Sequence, residues 1–142
     1  MKNKNSLFFI VFILFSYFVK AQVSVGWQPL LLNTDGTTTF DGVEGFYQII
    51  TCNSNEEILV MLINHNNYKV KAGWKDFVVA KDEQQLPRSS FQDSITIGPN
   101  SELMGECNGK NPQLEMKLTD FGILKEDFQD FVTSNFDFVI IH

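Results

Sequence analysis

The sequence predicts an all-β fold, an antiparallel β-sandwich of a single domain, on three observations. Seven or eight short segments alternate or cluster apolar and β-branched residues. Turn-forming residues recur every 8 to 12 positions between them. Two cysteines far apart in the chain, Cys52 and Cys107, offer one long-range tie. A small up-and-down β-barrel is the alternative, since it is also built from neighbouring antiparallel strands.

The chain opens with Lys2 and Lys4, an apolar run from Leu7 to Val19, and then Val19-Lys20-Ala21 before Gln22. A basic start, a short apolar run and small or medium residues at the −3 and −1 positions spell a secretory signal peptide over residues 1–21. The run covers 13 residues, against the roughly 20 needed to span a bilayer. Cleavage after Ala21 leaves residues 22–142 as one exported domain and no membrane span. A chain of that length can bury roughly two-thirds of its unfolded surface, so it needs no metal or cofactor to fold.

Three basic residues leave with the signal peptide, so 8 remain against 17 acidic ones, a net charge of −9. That balance excludes a nucleic-acid binder, which needs a basic footprint to neutralise phosphates, and argues equally against an anionic membrane surface. In an oxidising compartment Cys52 and Cys107 form one disulfide. Closing that loop stabilises the fold by about 4 kcal/mol on the chain-entropy argument.

The mature chain begins with Val23–Leu32, a strand that Pro29 confines to a sheet edge. Residues 33–45 form a polar loop. It approaches a calcium loop, but Leu31 and Gly42 stand where oxygen ligands are required, so no metal site is expected. Phe46–Cys52 is a second strand, turned by Asn53–Glu56 into Ile58–Ile63. Six apolar residues without a break, at 58–63, fit a strand buried on both faces. Asn64–Asn67 then reads as a turn closing a hairpin with Tyr68–Trp74, in which Tyr68, Val70, Ala72 and Trp74 share one face and Lys69, Lys71 and Lys75 the other.

Phe77–Ala80 prolongs the apolar pattern, and Lys81–Asp93, with Pro87, is the longest loop expected. Short strands follow at Ser94–Gly98 and Ser101–Glu106. In the next, Leu114, Met116 and Leu118 point inward. Between Gly122 and Asp130, one or two helical turns fit the spacing of Ile123, Leu124, Phe128 and Phe131. The last strand, Val132–Ile141, places Val132, Phe136, Phe138 and Ile140 on one face and docks the C-terminal part of the chain.

The order Cys52, Trp74, Cys107 resembles an immunoglobulin-like domain. The resemblance implies an immunoglobulin-like or fibronectin-type sandwich with a core tryptophan packed on an inter-sheet disulfide. Gly105 stands where such domains carry a tyrosine, two residues before the second cysteine.

Chemistry-bearing motifs are absent from the sequence: it contains no Gly-x-Ser-x-Gly, His-Glu-x-x-His, phosphate-binding Gly-Lys-Ser/Thr or Cys-x-x-Cys. The two histidines are His65, in a turn of asparagines, and His142, at the far end of the sequence, and nothing singles out two of the 17 acids as a catalytic pair. A non-enzymatic protein without cofactor is therefore expected.

Two features suit binding. Lys69, Lys71, Lys75, Lys81 and Arg88 gather five of the eight mature basic residues within 20 positions, and the first three share an outward face fit for an acidic partner or glycan. Trp27, Phe40 and Phe91 are aromatics outside the clear inward pattern, able to anchor a protein or stack on a sugar. The expected function is an exported sandwich working by protein–protein contact with an envelope or extracellular protein, as an accessory subunit of an envelope or secretion assembly. A carbohydrate- or small-ligand-binding module is the alternative. Periplasm, cell surface and extracellular space all satisfy the export signal.

Overall fold

A computed structural model describes residues 26–32 and 36–141, without the side chains of 89–93; the expected signal peptide, 1–21, and the first three residues of the expected polar loop, 33–35, lie outside the described residues, and the rest of that loop holds a two-residue strand at Thr39–Phe40 and the start of the next strand at Val43. Among the described residues nine strands follow in chain order: β1 (Gln28–Pro29), β2 (Thr39–Phe40), β3 (Val43–Cys52), β4 (Asn55–Asn64), β5 (Lys69–Ala80), β6 (Gln85–Ile97), β7 (Ser101–Met104), β8 (Glu115–Lys117) and β9 (Phe128–Ile141). They form two antiparallel sheets. The larger runs β1-β3-β4-β7, with β2 on β3 and β8 on β4; the smaller runs β6-β5-β9. The architecture is the antiparallel sandwich, not a closed barrel.

The β3–β4 hairpin turns on Asn53 and Ser54, with φ of 49° and 70°. Positive φ at both central residues is the twist-compatible turn that a two-residue hairpin needs, and it brings Cys52 opposite Asn55. In β4, Ile58, Val60 and Leu62 enter the core between the sheets, while Leu59 and Met61 are buried on the other face. The unbroken apolar run is thus a central strand covered on both sides.

The expected hairpin between 58–63 and 68–74 is not formed. β4 pairs with β3, β7 and β8, whereas β5 pairs with β6 and β9, so Asn64–Asn67 carries the chain from one sheet to the other. Asn64 makes the crossing possible. Fully buried, it donates through Nδ2 to the carbonyls of Tyr68 and Gly98, 2.8 Å each, and accepts from the Asn66 N–H. One side chain satisfies backbone groups that leaving the ladder would otherwise strand in the interior.

β5 keeps the predicted alternation, with Val70, Ala72, Trp74 and Val78 buried and Lys69, Lys71 and Lys75 exposed. The expected loop at Lys81–Asp93 shrinks to a turn with Glu83 at φ 66°, because Gln85–Ile97 is a strand. Leu86 pairs with Val78, and Pro87 is tolerated because β6 is an edge. The Ser94–Gly98 segment is the end of that strand, and Ser101–Met104 lies in the other sheet.

Leu114, Met116 and Leu118 are buried as expected. In the stretch expected to be helical only Lys125–Asp127 forms a 3₁₀ turn, and Phe128 and Phe131 belong to β9; further 3₁₀ turns span Pro112–Leu114 and Leu118–Phe121, the latter ending at Gly122 with φ 71°. In β9 the register against β5 slips between Gly73 and Lys75, at Asn135 with φ 50°. The bulge reverses the alternation, so Phe131 and Thr133 share the inner face with Phe136 and Phe138. Val132, expected on that face, points outward.

The disulfide Cys52–Cys107 is formed, with Cα atoms 5.7 Å apart. It ties the end of β3 to the loop after β7, two segments of the same sheet, rather than spanning the sandwich as the resemblance implied. Trp74 instead stacks on Phe136, centroids 6.1 Å apart, and its indole N–H donates to Asp76 at 2.8 Å. Among the described residues no helix is long and apolar enough to cross a membrane.

Candidate functional site: the outer face of the three-stranded sheet

Lys69, Lys71 and Lys75 project from β5, the middle strand of the smaller sheet, because the period of two that buries Val70, Ala72 and Trp74 sends odd-numbered residues outward. Register supplies their neighbours. Lys69 lies beside Ile141, Lys71 between Thr96 and Val139, and Lys75 beside Ser134. Gly73 lies between Ser94 and Asp137, so the register sets one carboxylate beside the stripe. No ion pair engages the three lysines among the described residues.

The same strand face continues into an apolar groove. Phe77 and Val79 of β5, Val132 and Ser134 of β9, Gln85 of β6 and Leu31 line a cavity of about 480 Å³. Leu31 reaches it because the segment after β1 crosses to the smaller sheet: it pairs in parallel with Val132, and its carbonyl accepts from the Thr133 N–H and hydroxyl, 3.1 Å each. Three cations therefore lead along one strand into an apolar recess. The groove was not foreseen, since it depends on the inversion of Val132 by the Asn135 bulge and on a long-range crossing.

Arg88, grouped with the lysines by sequence, turns the other way. Its Nε lies 3.8 Å from Asp76 Oδ2, and its side chain is largely buried. Asp76 was legible in principle, because it continues the even-numbered inward parity of β5 past Trp74.

The aromatic candidates do not converge. Phe40, in β2, packs its ring edge-on against Phe136 and Phe138 at 5.9 and 6.0 Å, folded over the core. Trp27 is half-buried just ahead of β1. Phe91 belongs to β6, and its side chain lies outside the described residues.

No protein family, curated protein or solved structure matches this chain.

His65 Nε2 lies 3.1 Å from Glu44, both partly exposed, beside a recess that includes Ser101. The Ser101 hydroxyl donates to the Gly98 carbonyl at 2.8 Å, which closes off a serine–histidine pairing in this arrangement. No cluster of three or more His, Cys, Asp or Glu fit for a metal occurs among the described residues.

A carboxyl pair that sequence did not single out is Glu57 with Glu115. Burial of Glu57, then the hydrogen bond and charge of Glu115, push its carboxyl above the ordinary range. Burial also pushes Glu115 upward, but the N–H groups of Asn108 and Gly109, at 2.9 and 3.1 Å, outweigh it and hold Glu115 below its ordinary value. The pair lies 58 positions apart in sequence and meets because β8 lies on β4. Glu57 is 3 % exposed and lines none of the described cavities. Its evident work is local: Glu115 clamps the loop that carries Cys107.

Proposed function

We propose that this protein is an exported, non-enzymatic β-sandwich that acts by protein–protein contact in the cell envelope or outside it, as an accessory subunit of an envelope or secretion assembly. Its contact surface is the outer face of the three-stranded sheet. The observation that carries this reading is the continuity of the Lys69/Lys71/Lys75 stripe with the Phe77–Val79–Val132 groove on one sheet face. Such a surface suits a partner segment that offers carboxylates beside an apolar anchor: the cations orient and the groove desolvates. The disulfide fits an oxidising, exported setting. The carbohydrate- or small-ligand reading draws less support, because Phe40, one of its stacking residues, is engaged by Phe136 and Phe138.

The test is an affinity pulldown from envelope extract with the wild-type domain beside a Lys69→Glu/Lys71→Glu/Lys75→Glu variant and a Phe77→Ser variant. A stoichiometric protein retained by wild type and lost from both variants supports the reading. Identical eluates from folded wild type and variants refute this surface, and an empty wild-type eluate refutes the subunit role.

A further inference from the structure

The smaller sheet has an edge that the described residues cover only at its start. β9 is outermost in the order β6-β5-β9. Its first part is closed by Leu31, which pairs with Val132 and takes the Thr133 N–H. From Ser134 to Ile141 no described residue pairs with the outer side of β9.

The backbone groups at that edge follow from Thr133. Its side chain faces the core while its N–H points away from β5, and chirality couples the two directions along any one strand. The Asn135 bulge shifts the count without altering that coupling. Phe136, Phe138 and Ile140, which face inward beyond the bulge, therefore present N–H and C=O to the free edge.

Exposed edges are ordinarily blunted with proline or lysine. Here β1 carries Pro29 and β6 carries Pro87, whereas 134–141 contains neither proline, lysine nor arginine. Instead Val139 is 64 % and Ile140 41 % exposed, an apolar end on a strand with unpaired backbone.

We propose that β9 pairs antiparallel with β9 of a second copy of this chain, about a two-fold axis at Val139, joining the two three-stranded sheets into one of six strands. The sequence is self-complementary in that register. Val139 meets its own counterpart, Phe138 meets Ile140 of the second copy on the core side, and Phe138 and Ile140 exchange the hydrogen bonds their edge groups offer. Asp137 meets Ile141 of the second copy, whose neighbour on β5 is Lys69, so carboxylate and ammonium approach across one strand. Centring the axis on Asp137 would instead set two carboxylates face to face, which is destabilising. The lysine stripes of the two copies then flank an apolar seam. The edge and its register favour this pairing whether or not a partner binds the lysine face.

Light scattering on the purified, disulfide-bonded chain from micromolar to millimolar concentration, with amide hydrogen exchange on the same samples, tests it. The expected result is a rise to twice the single-chain mass, with Phe138 and Ile140 amides slowed in the dimer. Val139→Lys, at a site exposed in the monomer, and Ile140→Pro, which removes an edge N–H and no ladder N–H to β5, should each return the mass to one chain with unchanged circular dichroism. A wild-type chain that stays single at every concentration overturns the proposal, as does a dimer that Val139→Lys leaves intact. Slow exchange at Phe138 in a monomer would also overturn it, by placing the segment before Gly26 on this edge.

Discussion

The phenolic hydroxyl of Tyr47, on β3 of the larger sheet, donates to Asp130 Oδ1, on β9 of the smaller one, over 2.6 Å. Around it the Tyr47 ring meets Phe128 and Phe131 edge-on, and Asp130 also accepts the Phe131 N–H at 2.8 Å. Aromatic packing and a charge-assisted bond thus tie the two sheets at one point, close to where Leu31 also crosses between them. The outer groove depends on that tie, because β9 supplies both Asp130 and Val132.

Replacing Tyr47 by Phe should keep the packing and lose the bond, at a cost of about 2 kcal/mol for a hydrogen bond to a charged group. Burial first, then the hydrogen bond and charge of Asp130, raise the Tyr47 phenol far above its ordinary value of 10.0. A folded-state value above the unfolded one means stability that is complete below pH ~10 and falls as pH rises beyond it. Urea midpoints at rising alkaline pH should therefore drop more steeply for wild type than for Tyr47→Phe, and parallel curves would refute the assignment.

The Cys52–Cys107 bridge closes a separation of 55 residues. A Cys52→Ala/Cys107→Ala variant should lose about 4 kcal/mol in chemical denaturation, the entropic worth of a loop of that length. Because the bridge lies within one sheet, the far-ultraviolet spectrum at room temperature should be retained. Loss of the spectrum would show that the bridge is needed to hold β7 and β8 on β4.

Gly105 occupies the position where the immunoglobulin resemblance implied a tyrosine, and the structure gives the reason. Its N–H donates to the Val60 carbonyl at 2.8 Å, and a Cβ there would fall on the Leu114 carbonyl oxygen. Backbone cannot yield as a flexible side chain does, so Gly105→Ala should cost about 3 kcal/mol, in the range of severe single substitutions. Thermal melting of the variant measures it.

These positions also show where sequence reading carries and where it fails. Parity within one strand was legible: the inward set Val70, Ala72, Trp74 and the outward lysines of β5 follow from side-chain period alone, as does the burial of Leu114, Met116 and Leu118. Pairing was not. Whether the run at 58–63 folds back on 68–74 or crosses to another sheet depends on Asn64 finding carbonyls of Tyr68 and Gly98, and Gly98 is 34 positions away. The lysine half of the candidate surface was therefore visible, but the groove half needed the Asn135 bulge and the Leu31 crossing, neither of which has a local signature.

Glu57 offers a prediction whose sign is opposite to that of most surface carboxylates. Its folded-state value lies above the unfolded one, so its contribution is present in acid and is lost as pH rises through the raised value. As pH rises toward neutrality the negative charge is increasingly unfavourable at Glu57 beside Glu115, and Glu57 Oε2 is buried without a hydrogen-bond partner. Glu57→Gln removes the charge and offers Glu115 an amide donor, so it should stabilise the protein at pH 7 by about 1 kcal/mol, the net worth of one satisfied buried bond. Below the ordinary carboxylate range the gain should vanish, because wild-type Glu57 is then protonated in both states. Denaturation midpoints of the two proteins that differ equally at both pH values would show that Glu57 and Glu115 do not share a proton.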